Sequence, residues 1–304
     1  MGLVSLVPQY YLVIEHTSVG LLFFAMGVWH TLNCLAAFAR TKSAGTVYVA
    51  RVYHRAGKGW LKHIELYALM GIAGVPIIVA WTFVELISPD GRATGEPSIT
   101  GLQNYQHFVI YAGFVLCAAL ARAAEARSAW LDLPAGALHG AWGVQWMIIF
   151  VLIRSHMFEG VEWLQMTVHN MYSLPVGACM ALALLQAAGH WHNVMVDLGA
   201  AAALTLQGTW LVQAAFLLFI PGTMPTGCKP TLMDPENDPN FRPVVCASGY
   251  ATDRAAGLVT WLFASHLAAV AILTVLLHVL VTRVNARRSK GPYVAIDCEV
   301  GKPI

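Results

Sequence analysis

Seven stretches of this chain stay apolar long enough for an α-helix to cross the roughly 30 Å hydrocarbon core of a bilayer, about 20 residues each. They run over residues 17–39, 63–87, 105–124, 134–153, 163–188, 194–220 and 256–282. In hydrocarbon every backbone N–H and C=O has to be satisfied within the protein, so a succession of such blocks folds as a bundle of helices. Composition agrees, with 58% hydrophobic and only 11% charged residues, against roughly 25% charged in soluble domains. The expectation is an all-α polytopic membrane protein, a seven-transmembrane-helix bundle. One membrane domain covers 1–288, and a short tail covers 289–304. Pro76 and Pro175 fall inside the second and fifth blocks and predict kinks there. Gly136 and Gly140, four apart in the fourth, permit close helix contact, and ordinary packing accounts for them.

Lys and Arg in the short connections set the expected orientation, because they concentrate on the cytoplasmic side. With the N-terminus outside, the inward segments 40–62, 122–133, 189–193 and 283–304 carry thirteen Lys and Arg, and the outward segments carry five. This asymmetry places the N-terminus lumenal or outside and the C-terminus in the cytoplasm. Residues 1–16 contain no Lys or Arg, so no cleavable signal peptide is expected. The net charge of +2 comes with no basic patch interleaved with base-stacking aromatics, and nucleic acid is not an expected partner. The partner implied by composition is the lipid bilayer. Trp29, Trp60, Trp81, Trp130, Trp163 and Trp191 lie near expected span ends, as interfacial aromatic belts do.

Cys34, Cys117 and Cys179 sit inside spans and read as packing residues. Cys228 and Cys246 share the longest outward loop, 221–255, where oxidation is permitted, and a disulfide between them is expected. In the tail, Tyr293 and Ile296 have the form tyrosine, two residues, bulky apolar. A sorting adaptor binds such a segment as an extended strand.

The polar residues inside the apolar blocks point to a site. An ionisable group in hydrocarbon costs several kcal/mol by order of magnitude, so it faces the protein interior and a partner. Glu162, Gln165 and His169 repeat at three, four and seven residues and share one helical face. His107 and His266 enter the third and seventh spans at comparable depth, His16 precedes the first span, His156 lies in the turn before Glu162, and Gln213 lies in the outer third of the sixth. All belong to the outer half under the orientation above. His30, His63, Glu65, His139 and His278 form a second group toward the cytoplasm, where solvation at the interface accounts for His63 and Glu65 beside Lys62. His190 and His192 resemble a metal pair but have no third ligand nearby.

Three chemistries suit the outer set. Imidazoles and carboxylates hold zinc, and an open zinc position activates water, which would make an intramembrane metal-dependent hydrolase acting on lipid. Histidines on facing helices ligate haem iron axially in an electron carrier. Titrating His and Glu also bind an ion, a proton or a small ligand without catalysis; this last is the leading expectation. No Ser-His-Asp order, phosphate-binding loop, dinucleotide-binding glycine motif or metalloprotease helix is present in the sequence.

These residues resemble the transmembrane protein 45 family, seven-span proteins defined by a domain of unknown function. The resemblance is carried by Leu206-Gln207-Gly208-Thr209-Trp210 with Gln213 and Pro221, by His107 with Tyr111, by Glu162-Trp163-Leu164 with His169, by His16 with Gly27-Val28-Trp29, and by His266. It covers about residues 16–282. Where the family often has further ligands, this chain has Gln106, Gln165 and Arg154 with His156, and residues 157–161 look longer than usual. The resemblance implies an endomembrane protein (Golgi, endosome or lysosome) or a plasma-membrane protein, and implies no established reaction.

Overall fold

The computed structural model describes residues 7–74, 99–126, 132–155, 163–231 and 243–288. Among them six helices are long and apolar enough to cross a membrane. We number them with one shorter helix in chain order: α1 Val7–Ala44, α2 over 64–74, α3 Ile99–Glu125, α4 Ala137–Ser155, α5 Trp163–Ala187, α6 Val194–Leu218 and α7 Gly249–Arg288. α2 is the start of the expected second span; the rest of that span, with Trp81 and Pro76, lies outside the described residues. The other six expected spans each coincide with one helix.

Two helices run well past their apolar blocks. α1 has 38 residues and α7 has 40, which at 1.5 Å per residue is about 57–60 Å, nearly twice the hydrocarbon thickness. The flanking residues hold no proline that would end α1 after Ala39 or α7 before Arg288, so nothing in the backbone breaks either helix there. Pro175 sits inside α5, as expected from the sequence.

α6 is the central helix. Buried residues occur all round it, including Trp210, Gln207 and Leu217, and it packs against α1, α5 and α7. Its contact with α1 is a backbone contact. A Cβ on Gly27 would lie 2.8 Å from the Thr205 Cα, and one on Gly208 would lie 2.7 Å from the Phe24 Cα. Glycine at these places lets two helices approach beyond what side chains permit. α7 is peripheral, and Leu267, Ile272, Val275, Leu276 and Leu280 are exposed along it, a face suited to lipid. Gly136, with φ +83 and just before α4, abuts the Ala187 carbonyl, and Gly140 makes an ordinary contact with the Ala187 side chain at the end of α5.

After α6 the chain forms a short antiparallel pair, β1 Cys228–Pro230 and β2 Val244–Cys246, in which Cys228 is opposite Cys246. The two are disulfide-bonded with Cα atoms 3.9 Å apart. Cys34, Cys117 and Cys179 are free and buried. Residues 46–58 turn back over the opposite end of the bundle. We name the ends by these features: the disulfide end and the 46–58 end.

Candidate functional site

Two polar layers cross the interior, one at each end. At the disulfide end, α1 places Glu15 and His16 on adjacent positions. Glu15 is buried, 6% exposed, and accepts a 2.5 Å hydrogen bond from the Tyr111 hydroxyl of α3. Its second oxygen, Oε2, is buried with no hydrogen-bond partner among the described residues. The His16 ring packs edge-on against Phe219 at 4.9 Å and faces His107 at 6.4 Å between centroids. His107 in turn stacks over Tyr111, one turn along α3. His169 of α5 is close enough to His16 for their charges to interact.

His16 and His169 share a local geometry. Each directs Nδ1 at the carbonyl four residues earlier in its own helix, Leu12 at 2.9 Å and Gln165 at 2.8 Å. A carbonyl only accepts, so Nδ1 carries the proton in the neutral ring and Nε2 is the basic atom. Both imidazoles are thereby set as acceptors or ligands through Nε2.

The remaining expected residues divide. His266 of α7 lies edge-on to Trp210 at 5.8 Å, and the Trp210 indole donates to the Val168 carbonyl at 3.2 Å, so Trp210 stands between α7 and α5 at this depth. Gln213 is half-buried in α6. His156 and Glu162 lie outside the described residues, as do Tyr293 and Ile296. Among the described residues no group of three or more His, Cys, Asp and Glu is arranged to hold a metal ion. The structure therefore brings His16, His107 and His169 together and adds Glu15, which the sequence reading passed over, with Tyr111 as its partner. Glu15 had a sequence signal: it is an acid preceded by Leu12, Val13 and Ile14, visible once the first span is extended toward the N-terminus.

The layer at the 46–58 end corrects the sequence reading. Glu65, expected to be solvated at the interface, is 7% exposed. It accepts from His30 Nε2 at 2.6 Å, from the Trp29 indole at 3.0 Å and from the His54 backbone N–H at 2.8 Å. Trp29, half-buried, thus spends its indole N–H on this carboxylate. The His54 ring meets His30 edge-on at 4.8 Å. Burial, followed by the nearby His30, Arg51 and Arg40, pushes His54 down to about 2, so it is neutral at physiological pH.

Two further carboxylates complete this layer. Asp197 of α6 accepts from the Tyr48 hydroxyl and from Gln186 Nε2 at 3.2 Å. Burial and the adjacent Asp197 charge raise Tyr48 well above the usual phenol range. Glu125, at the end of α3, meets the Tyr53 hydroxyl, Arg55 at 2.6 Å, Lys62 at 2.9 Å and His63 at 3.0 Å. The 46–58 segment is fastened besides by Ala50 N–H to the Trp191 carbonyl at 2.7 Å and by His192 Nδ1 to the Tyr48 carbonyl at 2.8 Å. His192 is thus a strut for this segment.

Residues 135–279 match a family of unknown function, DUF716. The matched stretch includes α4 to α6, the disulfide and most of α7. It contains His169, Gln213 and His266 and excludes His16 and His107. No curated protein matches the chain.

Proposed function

We propose that the disulfide-end layer takes up and releases a proton or small ion on behalf of a non-catalytic, seven-span membrane protein. The observation that carries this reading is Glu15: a buried carboxyl with one oxygen on Tyr111 and the other without a partner among the described residues, next to His16, whose ring faces His107 at 6.4 Å. A buried unpaired carboxylate oxygen is costly, and the economical states are a protonated carboxyl or a bound cation. His16 and His169, with Nε2 as their basic atoms, are the relay partners.

In this reading the N-terminus and the disulfide are lumenal or extracellular, the 46–58 end is cytoplasmic, and the protein resides in Golgi, endosome, lysosome or plasma membrane as in the transmembrane protein 45 family. Infrared titration of the purified protein tests the central claim. A protonated-carboxyl band that titrates, shifts in Tyr111→Phe and disappears in Glu15→Gln supports it. No titrating carboxyl band, or one untouched by both variants, rejects it.

A second reading, a zinc-dependent hydrolase acting on lipid, draws support from the shared Nδ1 anchoring of His16 and His169, the arrangement that orients metal-bound imidazoles. Stoichiometric zinc in protein purified without chelator, reduced in His16→Ala and His169→Ala, decides for it.

A further inference from the structure

At the 46–58 end the acids are turned inward and the cations outward. Glu65 and Asp197 are buried and spent on internal partners, and the buried Glu125 carboxylate is shared by Arg55, Lys62 and His63. Arg40 and Arg51 both stand close enough to His54 to bear on its charge, and Arg55, Lys62 and Arg122 do the same at His63. Arg40, Arg51 and Lys58 are exposed and form no salt bridge among the described residues. Asp132 is the one exposed acid at this end among the described residues. The outer surface is therefore left with an excess of positive charge.

The backbone presents that charge beside an apolar strip. Residues 47–51 alternate as an extended chain does, with Tyr48 and Ala50 buried and Val47, Val49 and Arg51 exposed. The inward row is fastened, Tyr48 to Asp197 and Ala50 to Trp191. The outward row is thereby held in place before any ligand arrives, which lowers the entropic cost of binding. A 3-10 turn, Gly59–His63, then leads directly into α2 and leaves Trp60, 68% exposed, and Leu61 facing outward close to Lys58 in the chain. Amphipathic rings at the start of a span settle at the headgroup level. Exposed apolar side chains among unpaired cations suit a charged lipid: the cations meet phosphate, and the apolar groups meet the glycerol and upper acyl carbons. A soluble anion would leave Trp60 and Leu61 in water.

We propose that the outer face of residues 46–62, with Arg40 beside it, binds the headgroup of an anionic phospholipid. Its phosphates are held by Arg40, Arg51 and Lys58, and its glycerol and upper acyl carbons lie against Trp60 and Leu61. The excess of cations favours headgroups that carry more than one negative charge, the phosphoinositide class. This site is separate from the Glu15 layer and stands without it. Anionic lipid collects in the cytoplasmic leaflet, in agreement with the sidedness drawn from Lys and Arg.

Binding of a fluorescent phosphatidylinositol bisphosphate to the full chain in uncharged detergent tests the proposal. Binding saturates and weakens as salt rises. Unlabelled lipids compete in the order bisphosphate, monophosphate, phosphatidylserine, with phosphatidylcholine roughly tenfold or more behind the first. Inositol trisphosphate, the same headgroup without acyl chains, competes roughly tenfold less well than the lipid, having lost the apolar contacts. Arg51→Gln and Lys58→Gln each weaken binding about fivefold, the effect of one charge at an anionic surface, and Lys229→Gln at the disulfide end leaves it unchanged. No saturable binding overturns the proposal, as does equal competition by phosphatidylcholine. Equal competition by inositol trisphosphate places a soluble phosphate here and overturns the lipid. A loss in Arg283→Gln with Arg287→Gln, and none in Arg51→Gln or Lys58→Gln, moves binding to the end of α7 and overturns the site. The competition series uses the parent protein and decides the matter even where a variant fails to fold.

Discussion

Glu65 and His30 meet at 2.6 Å across 35 residues of sequence. Glu65 joins three separate pieces of the protein: Trp29 and His30 on α1, the His54 amide on the returning segment, and the start of α2. Removing His30 leaves the buried Glu65 carboxylate with the neutral Trp29 and His54 donors and no ionic partner, and breaking a buried pair costs about 3–5 kcal/mol. His30→Ala is therefore expected to lower the melting temperature in detergent strongly. His30→Ala with Glu65→Ala should lose less than the sum of the single losses, because no charge is stranded in the double variant. Strict additivity would show that the two residues act apart.

The α1–α6 seam gives a steric prediction. At Gly208 an added Cβ falls on the Phe24 backbone, and a backbone neighbour has little room to move. Gly208→Ala should destabilise the protein by about 1–3 kcal/mol, the usual range for overpacking. Gly257→Ala on α7 is the control, since its Cβ meets nothing within 4 Å. There alanine should be neutral or stabilising by up to about 1 kcal/mol through the helix preference over glycine. Equal effects at both positions, read by melting, would refute the close seam.

His54 makes stability depend on pH, and the sign follows from its depressed value. In the folded protein His54 stays neutral down to about pH 2, whereas in the unfolded chain it takes up a proton near 6.5. Below 6.5 the unfolded state binds the extra proton, so this contribution is fully present above that pH and is lost as pH falls toward 2. The groups facing it, His30, Arg51 and Arg40, add positive charge and strengthen the effect. Relative to His54→Phe, the parent should lose stability on acidification with a limiting slope of about 1.4 kcal/mol per pH unit. Parallel stability profiles for the two proteins between pH 7 and 5 would rule this out.

What the sequence made legible, and what it hid, follows from the range of each interaction. Helices at α3 to α7 were readable because hydrophobicity accumulates along one segment, and Cys228 and Cys246 because a single loop holds both. The 46–58 segment reads as a connection; only the fold shows it bound through Tyr48 to Asp197 and through Ala50 to Trp191. Glu65 beside Lys62 looks like an interfacial residue until α1 supplies His30 and Trp29. The face a helix turns inward depends on its neighbours, so the grouping of His16, His107 and His169 was legible only as shared depth. Tyr111 as the partner of Glu15 was not legible at all.

The disulfide bears on stability and sidedness together. Cys228 and Cys246 sit opposite one another in β1 and β2, and the end of this pair packs on the start of α7, where Gly227 lies against Ala251. The bond spans 18 residues, and chain-entropy arguments assign a loop of that size about 3 kcal/mol. Cys228→Ser with Cys246→Ser should lower the melting temperature, and reductant should lower the parent's to the same point while leaving the double variant unchanged. In intact cells, an impermeant thiol reagent applied after reduction reaches this pair only where the loop faces outside. The same reagent added to sealed, inside-out vesicles should fail. Labelling in the inside-out vesicles alone would place the disulfide end on the cytoplasmic side and reverse the orientation drawn from the basic residues.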